Sequence, residues 1–158
     1  MNIFYLHKSP AKAAQYMCDK HVVKMILESA QLLCTAHHVC PTGEELPEKF
    51  YKKTHANHPC AIWVRTNTGN YSWMTTHALA LLSEYTHRYD KEHASTSVIR
   101  WCAVNNPDIP KGKFTEIPQC MPDEYKMEDP VIAYRNYYNQ AKSHLHSWKN
   151  RPVPIWVS

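Results

Sequence analysis

The sequence predicts an all-α protein: a single compact helical domain over residues 1–158, with a short extended N-terminal segment and long ordered loops. Three observations carry this. Two long stretches, Asp19–His38 and Gly69–Asp90, repeat their apolar residues at helical period. The Pro-containing segments at 41–60 and 105–130 read as ordered loops within one unit, with no linker, repeat or low-complexity tract between them. A chain of 158 residues, 44% of them apolar, has the size and composition of one domain with a real core.

Taken in order, Asn2-Ile3-Phe4-Tyr5-Leu6-His7 is aromatic and branched and reads as a short strand or extended lead-in. Ser9-Pro10 then starts a short helix running to about Met17, with Ser as N-cap and Pro at the first helical position. Asp19 is predicted to cap the next helix, which ends near His38, ahead of Pro41 and Gly43. A further helix begins near Gly69 and runs to about Asp90, and Ser95–Asn105 forms a shorter one. Four prolines between Asn106 and Glu128 deny regular structure there. Asp129-Pro130 opens a last helix to about Lys149, and the tail packs back through Ile155 and Trp156. The helices at about 20–38, 70–89 and 130–149 are predicted to pack together.

The helix from Asp19 carries the chemistry. Lys20, His21, Lys24, Glu28 and Gln31 fall within one narrow arc, while Val22, Val23, Ile26, Leu27, Ala30, Leu32 and Leu33 cover nearly all the rest. A helix apolar on most sides is buried, and buried charges cost several kcal/mol unless paired or facing a cleft. The stripe is therefore an internal ion-pair network or the wall of an active site. The plain alternative is a solvated face on which Lys24 and Glu28 make a helix pair worth about 0.3 kcal/mol. On the 69–90 helix Asn70, Trp73, His77, Glu84 and Arg88 form a second stripe, and the two could share one cleft.

Composition excludes several classes. With glycine only at 43, 69 and 112, no glycine-rich phosphate loop or dinucleotide fingerprint is possible. No apolar run approaches the roughly 20 residues needed to span a bilayer, and the start lacks a signal peptide's charge, so a cytoplasmic protein without a membrane partner is expected. The six cysteines then read as reduced thiols. The net charge of +4 is a mild lean toward nucleic acid or phosphate. Arg135, Lys142 and Lys149 make a basic edge on the last helix, and Lys52 and Lys53 lie in a basic loop beside Tyr51. With Arg65 they form the predicted nucleic-acid contacts, against the alternative of ordinary solvated charge. Cys18-x-x-His21, His37-His38-x-Cys40 and His55-x-x-His58-x-Cys60 offer ligand types at short spacing, but none is a paired C-x-x-C or an H-E-x-x-H. No metal or other cofactor is expected.

The opening M-N-I-F-Y-L-H with a Ser-Pro helix and a charged helix resembles the start of the pyrimidine-dimer DNA glycosylase family, the phage endonuclease V-like enzymes. N-H-P-C-A-I-W running into Y-S-W-M and L-L-S-E-Y-T-H-R-Y looks like that family's long second helix. Y-R-N-Y-Y and W-K-N-R-P-V-P-I-W are similar to its aromatic and basic C-terminal region. The resemblance implies an all-helical fold and a bifunctional reaction, in which an N-terminal α-amine attacks the sugar C1′, a Schiff base forms and a helix glutamate assists glycosidic cleavage and β-elimination. α-Amines as a class are substantially unprotonated near neutral pH, so they can act as nucleophiles. Reaching C1′ requires a flipped or unstacked base.

Carried onto this chain, the catalytic set is Met1, His21, Lys24 and Glu28, with His7, Lys20, Gln31, Asn70, Trp73 and His77 around the substrate. Asn2 is bulky enough for Met1 to be retained, which makes the amine that of Met1; a lysine is the other amine available. Glu28 is selected because it shares a stripe with His21 and Lys24. The partner is duplex DNA with a damaged or flipped pyrimidine, met by a monomer in the cytoplasm, the host's if the chain is phage-encoded. Two other readings stay open: a different enzyme of phage DNA metabolism acting on a pyrimidine base or nucleotide, and a non-enzymatic binder of nucleic acid or a host protein.

Overall fold

The computed structural model spans Met1–Ser158 and contains six α-helices, two single 3₁₀ turns and no strand. Residues 2–6 have no regular secondary structure and join no sheet, in place of the extended lead-in the sequence predicts. Helix α1 (Pro10–Tyr16) starts as the sequence predicts, with Ser9 Oγ accepting from the Lys12 N–H. Helix α2 (Asp19–Val39) differs at its start: Cys18 occupies the cap position without a side-chain bond, and Asp19 is the first helical residue. Its carboxylate is turned instead to Arg88, to the Ser147 hydroxyl and to the Lys149 N–H.

Helix α3 (Pro59–Val64) starts at the end of the predicted 41–60 loop and covers a stretch for which no element is predicted; six residues are too few to show a period, and the local sign is His58, whose Nδ1 accepts from the Cys60 N–H ahead of Pro59. Helix α4 (Thr68–Tyr89) is capped by Asn67, and α5 (Thr96–Val104) follows Ser95. Gly69 admits a close crossing, since a Cβ there would stand 2.5 Å from the Phe114 N.

Helix α6 (Pro130–Ala141) is capped by Asp129 but stops well before Lys149. Beyond it the chain is drawn to the start of α2, where Ser147 O accepts from the Asp19 N–H at 2.8 Å and Asp19 receives Lys149. Arg135, Lys142 and Lys149 therefore do not share a helix face. In the tail Ile155 is exposed, against expectation, whereas Trp156 packs near Tyr16 and Tyr138.

The core lies where α2 and α1 meet α4, around Val22, Ile26, Leu33, Tyr71, Met74 and Leu81. Ile3, Phe4, Tyr5 and Leu6 are buried in it as well. Helix α6 joins through that N-terminal segment: Phe4 meets Tyr134 and Tyr138, and Arg135 Nε donates to Leu6 O at 2.9 Å. The apolar arc of α2 is narrower than predicted, because Val23 and Leu27 are each 40% exposed beside Lys20 and Lys24. No helix is long and apolar enough to cross a membrane.

Candidate active site

The first four residues form a hook. Asn2 Oδ1 accepts from the N–H groups of Ile3 at 2.7 Å and Phe4 at 3.1 Å, while its Nδ2 donates to Cys120 O at 2.8 Å. Phe4 takes a left-handed backbone, φ 57°, which costs a bulky residue about 1–3 kcal/mol and persists only where the surroundings dictate it. Here they do: the Phe4 ring stacks on His21 with centroids 4.3 Å apart and is edged by Tyr134 and Tyr138. With the chain held at residues 2 and 4, the Met1 α-amine stands 3.5 Å from Glu28 Oε1. The Met1 side chain is 3% exposed and that of Glu28 15%, so the pair lies at the edge of the interior.

The other stripe residues of α2 separate by burial. His21 is buried, with Nδ1 2.6 Å from the Tyr138 hydroxyl, and burial, with Lys142 and Lys24 adding to it, pushes it down to about 4. It is neutral at physiological pH, stacked on Phe4 and bonded through Nδ1 to Tyr138. Lys20 and Lys24 are exposed, and Gln31 is half-buried. The stripe continues to Thr35, whose hydroxyl donates to Thr54 O at 3.1 Å, and to His38, whose Nε2 lies 2.8 Å from Tyr51 O. These bonds lay the loop carrying the exposed Lys52 and Lys53 along the far end of the line on which Glu28 sits.

The second stripe is not arranged as a wall facing the first. Asn70 bonds to Trp63 O and Thr115; Trp73 donates to Lys8 O and stacks on His77, which is bonded to Pro10 O and pushed by burial down to about 4. These groups fasten α4 to α1 and to the crossing segment. Farther along, the fully buried Arg88 bonds Glu84 and Asp19 at 2.9 Å each and Gln15 O at 3.0 Å, and Arg151 adds two bonds to Glu84. His7 accepts from the Ser9 N–H. Arg65 donates to Ala56 O, while Arg135 donates to Leu6 O and lies between the rings of Tyr16 and Trp156. Lys142 and Lys149 lie over Tyr137 and Tyr89. A surface groove of about 650 Å³ between the end of α4 and α5 contains none of the predicted site residues.

Beside the amine the fold assembles groups that spacing alone does not connect. Cys120, from the irregular segment, lies with its Sγ 3.4 Å from that of Cys60, and His58 stands with them. Of the three Cys/His spacings in the sequence, only the third contributes to a cluster, and its partner is distant along the chain. The Cys60 thiol's hydrogen bond holds Cys120 down at about 7 and pushes Cys60 itself up, with the Met1 ammonium lowering both. Burial lowers His58, and the same ammonium adds to it.

An α-amine paired with a helix carboxylate, on an all-α scaffold with exposed lysines at one end of the helix line and on the loop fastened at the other, defines a protein with a candidate amine nucleophile at the edge of its interior. Residues 1–97 match the family of pyrimidine dimer DNA glycosylases, and the chain belongs to that family. The matched span runs from the N-terminal hook through α4, taking in Met1, Glu28, His58 and Cys60 and leaving out Cys120 and α6. No match was found among curated proteins or among solved structures.

Proposed function

We propose that the protein is a DNA glycosylase and abasic-site lyase acting on pyrimidine dimers in duplex DNA, with the Met1 α-amine as nucleophile and Glu28 as its proton-transfer partner. The 3.5 Å approach of that amine to Glu28 carries the reading. The unprotonated nitrogen bonds to C1′ as the N-glycosidic bond breaks, its electron pair leaving with the base. Glu28 takes the proton released by the new C–N bond and returns it to O4′ as the C1′–O4′ bond opens, the nitrogen's electron pair closing the iminium. Removal of a C2′ proton expels the 3′ phosphate by β-elimination. Positioned proton transfer of this kind contributes typically about 10²–10⁴ in rate.

The surroundings support a polymer substrate. Lys20 and Lys24 lie on one side of Glu28, and the Lys52–Lys53 loop is fastened at Thr35, about 10 Å farther along the helix. Phosphates on either side of a flipped nucleotide would meet both groups. The groove between α4 and α5 is lined by none of these residues. His21, neutral and buried, acts as a positioning residue for Phe4, and Lys24 serves phosphate contact rather than covalent chemistry.

Borohydride reduction during incubation with a duplex containing one dimer tests this. A covalent protein–DNA product whose adduct maps to Met1 is expected. An adduct on a lysine, or no adduct with either dimer or abasic DNA, overturns it.

A further inference from the structure

We infer that His58, Cys60 and Cys120 form a binding site for zinc, seated beside the Met1 amine and distinct from the amine–Glu28 pair. Their ligand atoms all lie within 4.8 Å of one another. A tetrahedral zinc, with bonds of about 2.3 Å to sulfur and 2.0–2.1 Å to nitrogen, requires sulfurs about 3.8 Å apart and nitrogen about 3.6 Å from sulfur. The observed sulfur separation is 3.4 Å, so a small spread of the two side chains makes room for the ion. One imidazole and two thiols are a zinc donor set; magnesium and calcium, which demand oxygen, are excluded by it.

The backbone already fixes the three positions. Cys120 is held through its N–H by the Tyr134 hydroxyl at 3.1 Å, and through its carbonyl by Asn2 at 2.8 Å. The Tyr134 hydroxyl in turn donates to Pro118 O at 2.7 Å. Cys60 is fully buried near the start of α3, and the His58 N–H donates to His55 O at 3.0 Å. His58 Nδ1 now serves as the α3 cap, so ligation exchanges that cap for a metal bond. Binding displaces both thiol protons to solvent, with no change of oxidation state. Because Asn2 is bonded to Cys120, the ion would join α3, the irregular segment and the hook that carries the amine. The inference is independent of what that amine does.

Cobalt(II) added to the reduced, chelator-stripped chain tests it. Intense thiolate-to-cobalt charge-transfer absorption with tetrahedral d–d bands is expected, reaching saturation at one equivalent and displaced by zinc. Cys60→Ser with Cys120→Ser should remove the bands, whereas Cys40→Ser should leave them. Zinc should also slow alkylation of Cys120 in the unaltered chain at least about tenfold, since the metal-bound thiolate is no longer free to react. That arm does not depend on the variants folding. Absent charge-transfer bands, bands that survive in a folded double variant, or alkylation of Cys120 indifferent to zinc each overturn the site. Borohydride trapping on the zinc-free chain reads the amine separately, so the two conclusions can fail independently.

Discussion

Helix α2 holds a carboxylate at each of two places, and the fold treats them differently. Asp19, at its start, is saturated: Arg88, the Ser147 hydroxyl and the Lys149 N–H all donate to it. Glu28, farther along, has only an ammonium 3.5 Å away. Burial alone would raise the Asp19 carboxyl, and the three donors outweigh it to hold the group below its ordinary value. Glu84, shared by Arg88 and Arg151, is lowered in the same way against its burial. Saturated charges tie elements together and are poor reagents; a loosely engaged carboxylate can still accept a proton. The contrast separates the charges that hold this fold from those available for chemistry.

The largest expected effect breaks the loosely paired side. Glu28→Gln should reduce single-turnover cleavage of dimer-containing DNA by about 10²–10⁴-fold while leaving the melting temperature nearly unchanged. Full activity would remove Glu28 from the reaction. On the saturated side the result should be reversed: Arg88→Met leaves Asp19 and Glu84 without their shared partner and should cost about 3–5 kcal/mol, a fall in Tm of at least about 6 °C. An unchanged Tm would show that Arg151, Ser147 and Lys149 suffice.

Acid titration sharpens the comparison through the neutral interior groups. Burial holds His21, His37 and His77 down at about 4, below the ordinary histidine value of 6.5. The unfolded chain therefore takes up protons first between pH 6.5 and 4, and stability present above 6.5 is lost as pH falls through that window. At pH 5 each such histidine should cost about 2 kcal/mol relative to pH 8, and the lowered Asp19 and Glu84 add to the loss at still lower pH. Urea midpoints measured from pH 8 to 5 should hold down to about pH 6.5 and fall below it; a flat profile would show that these rings titrate normally. The smallest effect concerns the exposed lysines. Lys24→Gln and Lys52→Gln should each lower the slope of log K against log salt by about 0.9 and weaken all duplexes alike. Arg135→Gln should instead lower stability by releasing Leu6 O, with no separate effect on the slope.

The long helices were legible because α2 and α4 repeat their apolar residues often enough to define a period, and Ser9-Pro10 and Asp129-Pro130 mark their own helix starts. The end of α6 was not, since it is set by bonds from residues 147 and 149 to Asp19. The proximity of Glu28 to Met1 needed the hook; Asn2 is of a type that turns the chain by bonding two residues on, but nothing local marks Phe4 as left-handed. The second stripe misled because an internal brace and a cleft wall use the same residues, and only the partners of Trp73, His77 and Arg88 tell them apart. Cys120 was invisible as a neighbour of Cys60 for the same reason: the crossing that brings it there is tertiary.

The burial of Ile3 to Leu6 against α6 inverts the order of synthesis. The segment is made well before Arg135, Tyr134 and Tyr138, which lock it in place. Helices α1, α2 and α4 can pair before then, because their contacts are closer along the chain, but the hook must wait for a loop closure of well over a hundred residues. A nascent chain would carry its helices before Met1 was brought to Glu28, so under the proposed mechanism the capacity to form a covalent adduct would follow the helices.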